Sequence, residues 1–206
     1  MYQEVDLFAT YKLKYINIKK LLKMGYTTID FERKKFKKYN DEFIDDIVGY
    51  VKDNVQKGED VRVVVGCDSQ QRRSYTLYAL TIILYDEILH HGAHVVFMKM
   101  RTKKEKDIFT RLMNESLYAL DLANWLDSKL DGISKPKYKM NEYDGSYPTK
   151  KIEIHVDVNP EYGRDKRNKS HIVYSSVMGM LCGSGFSVKS KPNSFAASSA
   201  ADHLVK

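Results

Sequence analysis

The sequence predicts an α/β domain built on one mixed sheet, and three observations carry that expectation. VRVVVGC (61–67), SYTLYALTIILY (74–85) and AHVVFMKM (93–100) are β-branched and aromatic runs separated by turn chemistry at SQQRR and at 86–92. Lys104 to Leu130 then repeats apolar residues at helical steps, with Ile108, Leu112, Ala119, Leu122 and Leu126 on one stripe. After it, short strands alternate with helices to the end of the chain. With 206 residues, 43% of them hydrophobic and 30% charged, the chain is long enough for one core without metal or disulfide staples and too short for two full-size domains.

Taken in order, residues 1–38 hold a basic run, Arg33, Lys34, Lys35, Lys37 and Lys38 around Phe36, without a strong period; they are assigned to an N-terminal helical extension. From Asn40, a capping residue, Phe43, Ile44, Ile47, Val48, Val51 and Val55 recur at helical spacing up to Gly58, which predicts a helix with a glycine stop. The three strands form a meander, and the long helix lies on them. Residues 131–150 are polar, with glycines and prolines, and read as a loop. KIEIHVDV (151–158) is a fourth strand. A basic loop follows, then a helix from about Ser170 to Gly183, a short strand GFSVKS, and a last helix opening at Asn193 or Ser194.

Composition narrows the function classes. No stretch approaches about 18 apolar residues, and the first residues lack the order of a signal peptide, so the expectation is a soluble, cytoplasmic protein with no membrane partner. Cys67 and Cys182 lack metal or redox spacing and are expected as buried free thiols. The net charge of +7 suits a polyanionic partner.

The candidate chemistry lies in carboxylates. The first strand runs into Asp68 and the fourth into Asp157. Ligand sites of α/β sheets gather at the carboxyl ends of strands. If the two strands are parallel neighbours, about 4.8 Å apart, both carboxylates converge, and a divalent cation is a natural way to offset their repulsion. Glu115 sits on the margin of the apolar stripe of the long helix and needs a cationic partner or solvent, whereas Glu105, Asp107, Asp121 and Asp127 can turn to water. Asp202 lies in FAASSAADHL, a helix small enough in its side chains to approach the sheet closely.

GCDSQ (66–70), NES with Glu115, IHVDV (154–158) and KPNSFAASSAADH (191–203) together resemble the RNase H-like superfamily, specifically its YkuK-type family. The resemblance covers about residues 40–206 and sets the domain at 39–206. It implies a five-stranded sheet in the order 3-2-1-4-5 with strand 2 antiparallel, and four metal-binding acids that carry over to Asp68, Glu115, Asp157 and Asp202. It also implies two Mg²⁺ or Mn²⁺ ions and phosphodiester hydrolysis of DNA or RNA. The Asp-x-Glu start and upstream His of DnaQ-type exonucleases are missing here, since Ser69 and Gln70 follow Asp68 and Ala197 stands five residues before Asp202. The competing expectation is a catalytically silent nucleic-acid-binding or scaffolding protein of the same fold.

Cations cluster in the loops that leave these strands. Arg72 and Arg73, then Arg164, Lys166, Arg167 and Lys169, and finally Lys189 and Lys191 are candidates for phosphate contact. His155 shares the strand face of Asp157, and His203 adjoins Asp202, so both are candidates for proton transfer.

Overall fold

The computed structural model describes residues 26–58, 60–86, 88, 92–105, 107–134, 137–160 and 170–206. Residues 1–25, which hold most of the extension assigned from sequence, and the loop cations Arg164, Lys166, Arg167 and Lys169 lie outside them.

A single 3-10 turn, Phe31–Arg33, is the first described element. Strand β1 (Phe36–Lys38) and strand β2 (Phe43–Ile44) then pair antiparallel around a turn in which Asp41 takes φ +66. The boundary drawn at 38/39 therefore runs between two paired strands, and Phe31 and Phe36 are buried in the same core as the rest of the chain. Helix α1 (Ile47–Lys57) starts six residues later than the sequence predicts, with Asp46 and not Asn40 as its cap. The physical reason is the cap: the Asp46 carboxylate accepts the Gly49 N–H at 2.9 Å, so the helix begins there and residues 40–44 are left to the hairpin.

Strands β3 (Val61–Gln71), β4 (Tyr75–Asp86) and β5 (Ala93–Lys103) form the predicted antiparallel meander; β3 and β5 are longer than their sequence runs because the long β4 between them extends both ladders. Helix α2 (Ile108–Lys129) opens on Asp107, whose carboxylate accepts the Thr110 N–H at 2.8 Å. Then come β6 (Ile152–His155), helix α3 (His171–Gly183), β7 (Ser187–Lys189), a π-helical segment Ala196–Ala201 and a last turn of α-helix, α4 (Asp202–Val205).

The sheet order is β2-β1-β5-β4-β3-β6-β7. Its five main strands follow the expected order 3-2-1-4-5, with β3, β6 and β7 mutually parallel and β4 antiparallel, and the hairpin adds two strands at the β5 edge. Alternation sorts the two faces. Val63, Val65 and Cys67 of β3 meet Leu122, Leu126 and the rest of the main core under α2 and α3, while Val64 packs with Ile83 and Ala196 on the other face. Each fully buried leucine of α2 contributes about 1.5–3 kcal/mol of transfer free energy, which makes α2 the main anchor of the sheet. Both cysteines are buried free thiols. Among the described residues, no helix is long and apolar enough to cross a membrane.

Candidate active site

The site forms where β6 stops pairing. The β3–β6 ladder ends at Gly66↔His155, but β3 continues through Asp68 to Gln71 against β4. Asp68 is therefore inside a strand, not at its end as expected; it borders the site because its other neighbour has run out. Extending the parallel register by two residues sets Asp157 opposite Asp68. Asp157 lies past the end of β6, in a segment still tied to the β7 side by the Val156 N–H on the Lys189 carbonyl at 3.0 Å and the Lys191 N–H on the Val158 carbonyl at 3.2 Å.

Asp202 arrives on the C-terminal segment, which lies on β3 and β4. Small residues permit this contact: Gly66 offers no side chain, and the Thr81 hydroxyl donates to the Ala196 carbonyl at 3.2 Å. The Ala196 N–H donates to His155 Nδ1 at 3.2 Å. Since Nδ1 accepts, the imidazole proton is on Nε2, which donates to Glu153 Oε1 at 2.8 Å. Both ring nitrogens are engaged in the interior and burial lowers the pKa of His155, so it is a buried neutral strut and not the proton carrier expected from sequence.

Glu115 is buried in α2, with 4% of its surface exposed, and reaches β3 from the α2 face. The Ser69 hydroxyl donates to its Oε1 at 2.6 Å. Arg111, one turn earlier, stands 3.7 Å from the same oxygen and also donates to the Ser69 carbonyl at 2.7 Å. The cationic partner that Glu115 requires is therefore Arg111. Glu105, expected to turn to water, is instead buried, accepting from the Tyr78 hydroxyl at 3.1 Å and Asn114 Nδ2 at 3.0 Å.

Two of the four acids, Asp68 and Glu115, are perturbed by burial and by neighbouring carboxylates. Burial, with Asp157 and Asp202 nearby, pushes the Asp68 carboxyl up to about 6. Burial, with the negative charges of Asp68 and Asp157, pushes Glu115 up to about 8 against the opposing pull of Arg111 and Ser69. Two acids also carry ammonium partners: Lys191 Nζ is 2.6 Å from Asp157 Oδ1, and Lys206 Nζ pairs with Asp202. Among the described residues, no three His, Cys, Asp or Glu side chains stand in a metal-holding group.

The candidate phosphate contacts divide. Arg72 is engaged by the Val205 and Lys206 carbonyls at 2.7 and 3.0 Å, so it fastens α4 to the β3–β4 turn. Arg73 is exposed, Lys191 sits on Asp157, and Lys189 stands 3.5 Å from Glu153. Sequence reasoning missed Glu153 altogether. It is 1% exposed, accepts from the Ser187 hydroxyl at 3.0 Å, and has Arg62 at 3.7 Å. The hydrogen bond from His155, with the charges of Lys189 and Arg62, holds its pKa below the ordinary value despite burial.

A mixed sheet in this order, flanked by helices, is that of a ribonuclease H-type domain. The sequence model of the Ribonuclease H-like family matches residues 42–206, and the chain belongs to that family. No curated protein and no solved structure matches it.

Proposed function

We propose that the protein is a divalent-metal-dependent nuclease that hydrolyses phosphodiester bonds of cytoplasmic DNA or RNA, with Asp68, Glu115, Asp157 and Asp202 as its catalytic and metal-holding carboxylates. The observation that supports this most is the placement of Asp68 on the central strand of a ribonuclease H-like chain, with Asp157 opposite it in the extended β3–β6 register. Burying carboxylates beside one another costs stability, and nothing in the packing of this fold requires it. The Lys-Pro-Asn-Ser close at 191–194 supports the YkuK-type branch.

The donor types suit Mg²⁺ or Mn²⁺ by their chemistry, although among the described residues no three of them stand close enough together to form an ion-holding group. Four carboxylates offer hard oxygens, the Cys67 thiol faces the α2 core, and the nitrogens of His155 are engaged. Two such ions, when bound, supply an activated water and stabilise the leaving oxygen. The chain's own residues prepare the site. Ser69 and Arg111 fix the orientation of Glu115, and His155 holds the N-terminal end of the segment that carries Asp202. Lys191 and Lys206 neutralise Asp157 and Asp202 in the ion-free protein and become available to phosphate when those carboxylates are occupied.

Those same ammonium groups favour a second reading, a protein that keeps the fold and binds nucleic acid without cutting it. A panel of single-stranded, duplex, hybrid and branched substrates with Mg²⁺ or Mn²⁺ separates the two. Cleavage that disappears in a folded Asp68→Asn variant supports the nuclease; binding without cleavage on every substrate supports the second reading.

A further inference from the structure

Strand β5 carries a feature that the acids do not account for. Alternation sends Met98 and Met100 into the core under α2, and Phe97, Lys99, Arg101 and Lys103 to the opposite face. That is also the face of Asp68. The ladders pair Asp68 with Ala79 and Ala79 with Lys99, so a single row crosses the sheet from the acid to the cation. Two strand spacings, roughly 10 Å, separate their backbones.

The C-terminal segment lies on β3 and β4, and Lys99, Arg101 and Lys103 are exposed beside it. They repeat every second residue, about 6.7 Å along the strand. Among the described residues none of the three has an ion-pair partner. Arg101 lies over the Tyr75 ring, 4.9 Å from its centroid, which aligns the guanidinium with the stripe. Like charges in one file on a sheet face repel, and the described residues supply no ion-pair partner; a polyanion laid along them does.

Two exposed rings flank this stripe. Phe43, 55% exposed, is on β2, in the row Phe97, Lys37, Phe43, with Lys37 Nζ 4.5 Å from its ring centroid, so a base stacking there displaces that ammonium toward its phosphate. Tyr39, 54% exposed, stacks on His203 at 5.9 Å, next to Asp202. Exposed aromatic rings beside a cationic track suit unpaired bases, which have free π-faces; paired bases inside a duplex do not.

We propose that this face, at the β5 edge beside the C-terminal segment, holds a single strand of nucleic acid, with phosphates along Lys99, Arg101 and Lys103 and bases stacked on Tyr39 and Phe43. The inference rests on the nuclease reading for what happens at Asp68, but strand binding itself needs no turnover.

The test is fluorescence anisotropy with labelled single-stranded and hairpin-duplex oligonucleotides, on Asp68→Asn protein in EDTA over a series of salt concentrations. The expected result is tighter binding of the single strand. Lys99→Gln/Arg101→Gln/Lys103→Gln lowers the slope of log affinity against log salt by about 2, from roughly 0.7 per single-strand phosphate. Tyr39→Ala/Phe43→Ala weakens single-strand binding tenfold or more at an unchanged slope, from about 1–3 kcal/mol per stacked base. Circular dichroism melting verifies that each variant is folded. An unchanged slope in the folded triple variant, or preference for duplex, overturns the proposal. If binding behaves as described but the Asp68 protein cuts nothing, the nuclease reading fails while the track stands; if it cuts while the triple variant keeps its slope, the track fails alone.

Discussion

Gly66 lies directly against the main chain of Ala196: a β-carbon built on it would stand 2.6 Å from the Ala196 carbonyl carbon and 2.7 Å from the Ala197 nitrogen. Backbone on both sides leaves no side chain to swing away. Gly66→Ala must therefore lift the segment that carries Asp202 or bend β3 two residues before Asp68. Overpacking of this kind costs about 1–3 kcal/mol, a fall in melting temperature on the order of 5 °C for a chain of this size. Thermal melts check the stability. If the proposed nuclease reading holds, cleavage should fall further than the lost stability explains, because the displaced element carries Asp202.

The raised carboxyls give the ion-free protein a definite pH dependence. Asp68 at about 6 and Glu115 at about 8 hold protons in the fold that they release on unfolding, where carboxyls titrate near 4. Unfolding then releases protons, so stability is fullest below about pH 4 for these groups and is lost as pH rises, through 6 for Asp68 and 8 for Glu115. Melts in EDTA should show the melting temperature falling from pH 6 to 8. Glu115→Gln, which keeps an acceptor for Ser69, should flatten that slope and raise the melting temperature at pH 8 by roughly 5 °C. A wild-type curve that rises over this range would contradict the account.

How much of this is legible in the sequence depends on whether a residue's surroundings are local. Asp68 follows a β-branched run, Glu115 sits on the rim of an apolar stripe, and Gly66 with the Ala- and Ser-rich close already hints at two backbones in contact. Glu153 and His155 are different. IEIH alternates like a strand with one wet face, and only β7 and the Ala196 segment, more than thirty residues later, make that face dry. The β1–β2 hairpin is hidden for another reason, since strands of three and two residues are too short to show a period. Arg72 has the composition of a phosphate ligand, but its partners are main-chain carbonyls that no pattern reveals.

His155 bridges the Ala196 N–H and Glu153 inside the protein. His155→Phe leaves the Ala196 N–H without its acceptor, at about 1–3 kcal/mol for an unsatisfied buried group, and leaves Glu153 Oε1 with only the Lys189 ammonium at 3.5 Å. Its folded pKa is depressed, so the histidine's contribution is present above its ordinary pKa near 6.5 and is lost as pH falls through the lowered value. The wild-type-minus-variant difference in melting temperature should therefore be largest at neutral pH and shrink toward pH 5. A difference that stays level across this range would mean that the imidazole is not neutral in the fold.

Lys191 separates an occupied Asp157 from one open to a metal ion. Its ammonium is 2.6 Å from Asp157 Oδ1, an oxygen buried from solvent that has no hydrogen-bond partner of suitable geometry. A divalent ion at Asp157 has to displace that ammonium, so the lysine acts as an internal competitor. Lys191→Met, which keeps the stem and removes the charge, leaves Asp157 repelled by Asp68 with nothing to offset it. Without metal, the variant should melt below the wild type at pH 8, where the site acids are most ionised. Titration calorimetry with Mn²⁺ should show affinity several-fold higher than wild type, and saturating Mn²⁺ should restore the melting temperature through preferential binding to the folded state. Asp157→Asn made in the same background should cancel both effects. Equal Mn²⁺ affinity in wild type and Lys191→Met would mean that Asp157 holds its lysine as a structural pair and is not a metal ligand.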